Sequence, residues 1–148
     1  MRRQIAGLHN AALEGGEVPD GLYLVEVCRA QYRWHAQKPF YLVRFVVLEP
    51  KSSAKAAFSG RLYCTPKALW KLAWFLRDFG YDTDLFASDE IEEKALLGLR
   101  GVVKISHATV HGISILNLEG FAPAGRWEEL SSGAGDLGQD QGAGEVAS

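Results

Sequence analysis

Residues 57–80 read AFSGRLYCTPKALWKLAWFLRDFG, a stretch in which the pattern of a strand is followed directly by the pattern of a helix. Apolar and polar residues alternate over Ala57–Cys64, which predicts a half-buried strand. Gly60 in its middle predicts a bulge or a close approach of another backbone. Thr65-Pro66 is a typical helix start, and apolar residues then recur at helical spacing up to a terminating glycine. The stretch therefore predicts a helix over Pro66–Phe79.

Two strands precede this stretch. The first begins at Gly21, and its alternation changes phase near Cys28, which predicts a bulge or sharp bend there. The second covers Phe40–Leu48 and has its apolar residues at odd positions, so the odd positions are expected to face the core. Gln37-Lys38-Pro39 is expected to close the loop between the two strands, and Pro50–Ala56 the next one.

A helix and two strands follow. Acidic residues open a short helix predicted over Asp89–Leu97, since the helix dipole favours them there. Strands are predicted over Val102–Val110 and Ile113–Phe121, with a tight hairpin turn at His111-Gly112. Three strands, helix and hairpin predict an all-β fold with an inserted helix, namely a five-stranded OB-fold-like Greek-key barrel with the helix between strands three and four. A mixed α+β sheet with helices on one face is the alternative.

The 148 residues are expected to form one domain. Residues 21–130 carry the predicted elements, 1–20 form a weakly patterned lead segment, and 131–148 form a Gly-rich acidic tail that is expected to be disordered. No apolar run is long enough for a membrane span and no signal peptide is visible. The two cysteines, Cys28 and Cys64, are typical of a reducing compartment, so the expected location is the cytoplasm.

The net charge of −2 conceals an asymmetry along the chain. Between Arg29 and Arg77 there are ten bases and one acid, whereas Asp78–Gly98 has seven acids and one base. Twelve of the sixteen aromatic residues lie between Tyr32 and Tyr81, in the basic stretch. Bases interleaved with aromatics suit a single-stranded nucleic acid, whose phosphates need charge and whose bases need flat surfaces. The alternative is that both charged stretches are ordinary solvated faces.

Catalysis, metal binding and cofactor binding find no support in the sequence. The histidines and cysteines show no metal-ligand spacing, and there is no GxSxG, P-loop or GxGxxG motif. The acids of Asp78–Gly98 have no partnering histidine and are expected to be solvated or to cap helices. We therefore expect a protein that is not an enzyme.

The expected binding residues lie on strands two and three and in or beside the loop joining strands one and two, which in an OB barrel flank the ligand groove. They are the bases Arg29, Arg33, Lys38, Arg44 and Arg61 and the aromatics Tyr32, Trp34, Phe40 and Tyr63. Alternatively, Tyr32 and Phe40 belong to the core and the bases only confer solubility. Trp70 and Trp74 lie one helical turn apart, and at least one is expected to pack in the core, the other options being a second stacking surface or a dimer contact.

Four short motifs give the chain a resemblance to a known family. They are the strand entry Val18–Val25, the helix Lys67–Gly80 ending in Asp78-Phe79-Gly80, the tetrapeptide Leu99–Val102, and Asn117–Pro123 at the end of strand five. In order and spacing they resemble a family of short phage and prophage proteins, long catalogued as a domain of unknown function and regarded as single-stranded DNA-binding OB-folds. The loop Pro50–Ala56 departs from that family's Gly-containing turn. The tail also lacks the aromatic tip with which many bacterial single-stranded DNA-binding proteins recruit partners.

The resemblance implies a non-sequence-specific single-stranded DNA-binding protein of phage or mobile-element type, acting in replication or recombination. Its partners would be single-stranded DNA or RNA, replication or recombination proteins, and further copies of itself, but no membrane. The alternatives are a protein-interaction or scaffold module with an OB-like barrel and, more remotely, a barrel that binds a small molecule or oligosaccharide.

Overall fold

The computed structural model describes residues 2–5 and 18–133, which form five strands and four short helices. The strands are β1 (Gly21–His35), β2 (Lys38–Glu49), β3 (Ala57–Tyr63), β4 (Arg100–Val110) and β5 (Ile113–Pro123). The helices are α1 (Leu69–Asp78), α2 (Thr83–Ala87), α3 (Glu93–Leu96) and α4 (Trp127–Ser131). Single 3-10 turns cover Lys51–Ser53 and Ala124–Arg126. All five predicted strands are present.

The strands form one antiparallel sheet in the order β3-β2-β1-β4-β5. The predicted all-β class is confirmed, but the sheet is not closed, because β3 and β5 remain its two edges among the described residues. The two edges nevertheless approach each other at Gly60, where an added Cβ would lie 2.6 Å from the Leu118 side chain. The close approach predicted at Gly60 is thus confirmed, and only a residue without a side chain fits there.

The predicted irregularity near Cys28 is a β-bulge. The register of β1 against β2 shifts between Val27 and Arg29. Val27 is buried in the core, and after the bulge Ala30 continues to pack against that core. Because side chains alternate across a strand, Arg29 and Arg33 then point to the opposite, outer face of the sheet.

The two hairpins end in tight turns of two residues. His111 and Gly112 have φ of 53° and 79°, so the predicted turn is confirmed. Ala36 and Gln37 have φ of 51° and 63° and form an equivalent turn between β1 and β2. The predicted loop is thus only this turn. Lys38 and Pro39, which were expected to close it, begin β2, and the residues expected in or beside it, Tyr32–His35, form the end of β1. Neither Ala nor Gln is typical of positive φ, so the local sequence does not indicate a turn of these two residues.

Helix α1 packs on the inner face of the sheet. Its residues Leu72, Phe75 and Leu76 are buried, and the Phe75 ring lies 5.4 Å from Phe121 and 6.0 Å from Phe45. The helix begins at Leu69 rather than Pro66, because residues 65–68 form a separate turn closed by a 2.9 Å bond from the Ala68 N–H to the Thr65 carbonyl.

The predicted end of α1 is confirmed. Gly80 has a φ of +77°, and the Tyr81 N–H donates to the Leu76 carbonyl at 2.9 Å, which is the Schellman arrangement.

The acidic segment differs from its prediction. The helix predicted over Asp89–Leu97 is present only as α3, and a further helix, α2, precedes the predicted range. The carboxylate of Asp82 caps α2 by accepting bonds from the N–H groups of Asp84 (2.9 Å) and Leu85 (3.0 Å). Asp89 has a positive φ of 58° in the turn between the helices, so no helix starts at that residue. Several of these acids lie in turns and caps, as the sequence indicated.

Helix α4 covers part of the outer face and was not predicted. Leu130 is buried against Val102 and Ala122, and Trp127 packs on the same cluster with Leu22 and Leu24. This cluster occupies the outer face of the neighbouring strands β1, β4 and β5. The predicted tail begins at Ser131, the last residue of α4; its part from residue 134 onward lies outside the described residues.

The lead segment contributes to the core at its end. Val18 is buried, and the Tyr23 hydroxyl donates to the Pro19 carbonyl at 2.6 Å. Residues 6–17 lie outside the described part of the chain.

Candidate nucleic-acid interface

The outer face of β1, β2 and β3 carries three cross-strand rows of residues on the side opposite the core. The pairing register aligns Arg33 with Phe40 and Tyr63, Gln31 with Leu42 and Arg61, and Arg29 with Arg44 and Ser59. We call these nine residues the open face, because α4 covers the neighbouring strands but not them. Four of the nine are arginines and none is acidic.

Three arginines of the open face form no ion pair with a carboxylate of the described residues. In residues 2–5 and 18–133, no acid forms an ion pair with Arg29, Arg33 or Arg61. Arg33 instead donates from Nη2 to Gln31 Oε1 at 2.7 Å, and Arg61 donates from Nη1 to the Tyr63 hydroxyl at 3.2 Å. Four aligned guanidinium groups without acids among them create a positive potential that attracts an anion.

Phe40 supports this face rather than offering a stacking surface. Its side chain is only 3% exposed, although the core cluster lies on the other side of the sheet. The Arg61 guanidinium sits 4.7 Å from the Phe40 ring centroid, and the Tyr63 ring centroid lies 5.4 Å away. Arg61 therefore makes a cation–π contact with Phe40, and this contact helps to cover the Phe40 ring.

Tyr32 and Trp34 lie on the opposite face of the same hairpin. The bulge at Cys28 places them on the side of Tyr41, whose ring centroid is 5.3 Å from Tyr32. Trp34 contacts Tyr32 edge-on at 6.3 Å and is 63% exposed, whereas Tyr32 is 44% exposed. The Tyr32 N–H donates to the Glu93 carboxylate at 2.6 Å. The structure thus separates these two aromatics from the arginines with which the sequence grouped them.

Lys38 stands at the tip of the β1–β2 hairpin, where it is exposed and pairs with His35. Its position in β2 is on the same side as Phe40, Leu42 and Arg44, so it extends the charge of the open face by one row. Of the nine predicted residues, seven therefore share one side of the sheet: Arg29, Arg33, Lys38, Phe40, Arg44, Arg61 and Tyr63.

A groove of about 450 Å³ opens beside the open face, in the gap between β3 and β5. Four residues belong to both the open face and the groove, namely Leu42, Ser59, Arg61 and Tyr63. The other walls come from the start of α1, with Trp70 and Lys71, and from β5, over Ser114–Leu118. The role of Trp70 was left open by the sequence. The contribution of β5 to the groove was not predicted, because only the curl of the sheet brings β5 beside β3.

The two tryptophans of α1 have different environments. Trp74 packs edge-on against Phe121 at 5.7 Å and donates from Nε1 to Asp78 at 2.9 Å. Trp70 is 58% exposed and stacks on Trp74, with ring centroids 6.1 Å apart and an interplanar angle of 25°. The prediction that at least one of them packs in the core is confirmed by Trp74.

The described residues include no cluster of three or more His, Cys, Asp or Glu side chains that could hold a metal ion. Over the same part of the chain, no helix has the length and apolar character needed to cross a bilayer. No family model matches the sequence, and no curated protein does.

Proposed function

We propose that the chain is a non-sequence-specific single-stranded DNA-binding protein of the OB type, serving DNA replication or recombination in a phage or mobile element. The observation that carries the proposal is the open face, on which four arginines align across three strands with no acid among them. A sheet in the order β3-β2-β1-β4-β5 with a helix between β3 and β4 is also the arrangement expected of an OB barrel, whose β2–β3 face binds oligonucleotides.

The chemistry of the open face favours a flexible polyanion. Guanidinium groups donate in a planar fork that matches phosphate oxygens. The aromatic rings beside them, Tyr63 and the exposed Trp70, offer flat surfaces to unstacked bases. These side chains would contact the phosphates and the flat faces of the bases rather than the base edges. Such contacts carry no sequence information.

A single titration tests this proposal. The full chain is titrated with oligo-dT at two salt concentrations, and the tryptophan fluorescence is followed. We expect quenching, with an affinity that falls steeply as salt rises, and weaker binding to a duplex of the same length. Absence of binding at low salt, or binding that ignores salt, would overturn the proposal.

The second candidate function is a protein-interaction module. The tip of the β4–β5 hairpin supports that alternative, because Val110 (44%), Ile113 (65%) and Ile115 (42%) are exposed apolar residues close together on it. A protein partner on this tip would bind through apolar contacts and depend little on salt. Replacing Ile113 with Ser would abolish such binding and leave oligo-dT binding unchanged.

A further inference from the structure

The groove between β3 and β5 is lined by bases and aromatic residues, some of which lie outside the open face. Arg61 and Lys71 line it together with Tyr63 and Trp70, and no acid is among its lining residues. A volume of about 450 Å³ falls in the range of small-ligand sites, and a nucleotide unit is a ligand of that class. Hydroxyl and amide side chains of Ser59, Ser114 and Asn117 add neutral donors and acceptors along the walls.

Trp70 is held in place for stacking. Its ring is 58% exposed, yet it lies nearly parallel to Trp74, which is fixed by Asp78 and Phe121. An exposed tryptophan with a preset orientation loses little conformational entropy when a flat ligand stacks on it.

Lys71 supplies a cation beside that ring. Its Nζ atom is 5.7 Å from the Trp70 ring centroid. Burial lowers the pKa of Lys71, and the nearby Glu119 carboxylate acts in the opposite direction. A partly desolvated ammonium group at a groove wall interacts more strongly with a phosphate than one in bulk water.

We infer that this groove is a subsite for one nucleotide of the bound strand, with the base on Trp70 and the adjoining phosphate between Lys71 and Arg61. The inference rests on the proposed function. Because Arg61 and Tyr63 belong to both surfaces, the bound nucleic-acid strand would run from the open face directly into the groove. Trp70 and Lys71 are thereby binding residues in addition to those on the strands.

Gly60 allows the close approach of β3 and β5 beside this subsite. The edges of the sheet come together there only because Gly60 has no Cβ to meet Leu118. Gly60 and Leu118 both line the groove.

Two pairs of variants test the subsite, each with a matched control on the same helix or its entry. Trp70→Ala is compared with Leu69→Ala, because Leu69 is also exposed (46%) but does not line the groove. Lys71→Ala is compared with Lys67→Ala, because Lys67 is an exposed lysine outside the groove. Oligo-dT is the probe, and thermal unfolding confirms that each variant is folded.

We expect Trp70→Ala to weaken oligo-dT binding about 5- to 150-fold and Leu69→Ala to leave it unchanged. Trp70→Phe, which keeps a stacking ring and serves if the alanine variant does not fold, is expected to weaken binding less than about fivefold. Lys71→Ala should make the plot of log affinity against log salt shallower by about 0.7, whereas Lys67→Ala should not change its slope.

The possible failures are distinguishable. If the parent binds oligo-dT and folded Trp70→Ala and Lys71→Ala variants bind as tightly and with the same salt slope, the subsite is wrong and the open face stands alone. If Trp70→Phe loses as much affinity as Trp70→Ala, base stacking is not the role of Trp70. If the parent itself does not bind oligo-dT, the proposed function fails and the subsite fails with it.

Discussion

Arg61 is the residue at which the charge and the geometry of the open face can be separated. Its guanidinium carbon lies 4.7 Å from the Phe40 ring centroid and its Nη1 donates to the Tyr63 hydroxyl, so two contacts hold it in the middle row of the face, on the edge strand β3. Replacing it with alanine removes one of four arginines from the three rows. Replacing it with lysine keeps the charge and removes the planar fork.

The magnitude follows from counterion release, which contributes about 0.7 to the salt slope for each phosphate contact with a single strand. If each of the four arginines contacts one phosphate, they contribute about −2.8 to the slope of the parent, and the three that remain in Arg61→Ala contribute about −2.1. Between about 50 and 200 mM salt, this contribution lowers the affinity of the parent about 50-fold and that of the variant about 20-fold.

The assay is a fluorescence titration with oligo-dT at several salt concentrations. Arg61→Lys should keep the parent slope while lowering the affinity, because its charge remains and its oriented donors do not. Arg77→Ala is the matched control, since Arg77 is an exposed arginine on α1 that pairs with Asp78 at 3.0 Å, away from the open face. An unchanged slope in folded Arg61→Ala, or an equal change in Arg77→Ala, would refute the assignment of Arg61 to a phosphate.

Further predictions concern the fold. Gly60→Ala should destabilise the protein by about 1–3 kcal/mol in urea unfolding, since its Cβ would lie 2.6 Å from Leu118; Leu118→Ala should be less harmful in that background than alone. Leu130→Ala should lower the free energy of unfolding by about 2 kcal/mol. Ending the chain after Gly133 should leave the melting temperature unchanged, and a large drop in that temperature would contradict this account. Burial, aided by negative charge from Cys64, Glu93 and other tyrosines, raises the pKa of Tyr41 to about 12 from its ordinary 10.0. The folded state therefore keeps this proton longer than the unfolded state, so stability is lost as pH rises from 10 toward 12, and Tyr41→Phe should weaken that loss; a phenolate absorbance that titrates near 10 would contradict it.

The strand pattern was predictable because it depends on local alternation. The apolar odd positions of β2 indicated the core face, and the phase change at Cys28 indicated the bulge that turns Arg29 and Arg33 outward. With those two features, alignment of the arginines with strands two and three follows from antiparallel pairing.

The features that escaped prediction depend on distant contacts or on atypical turn residues. Ala36 and Gln37 adopt positive φ without being typical of it, so the two-residue turn between β1 and β2 was not predicted. Helix α4 is short and is stabilised by packing on Val102 and Ala122, which its own sequence does not reveal. The groove residues Trp70 and Ser114–Leu118 come together only through the curl of the sheet.

The burial of Phe40 illustrates a limit of face assignment from alternation. Its position on the outer side was inferred correctly from the odd–even pattern, yet Arg61 and Tyr63 cover it almost completely. Exposure therefore depends on cross-strand neighbours as well as on the side of the sheet.

The central claim is that the open face binds a single-stranded nucleic acid, and the arginine side chains report on it most directly. We would titrate isotopically labelled full-length protein with oligo-dT and follow the Nε–H resonances of the arginines by NMR. The account predicts that Arg29, Arg33, Arg44 and Arg61 shift together, while Arg77 and Arg100, which lie outside the open face and pair with Asp78 and Glu26, remain in place. Shifts at Arg77 and Arg100 with none at the four arginines of the open face would contradict it.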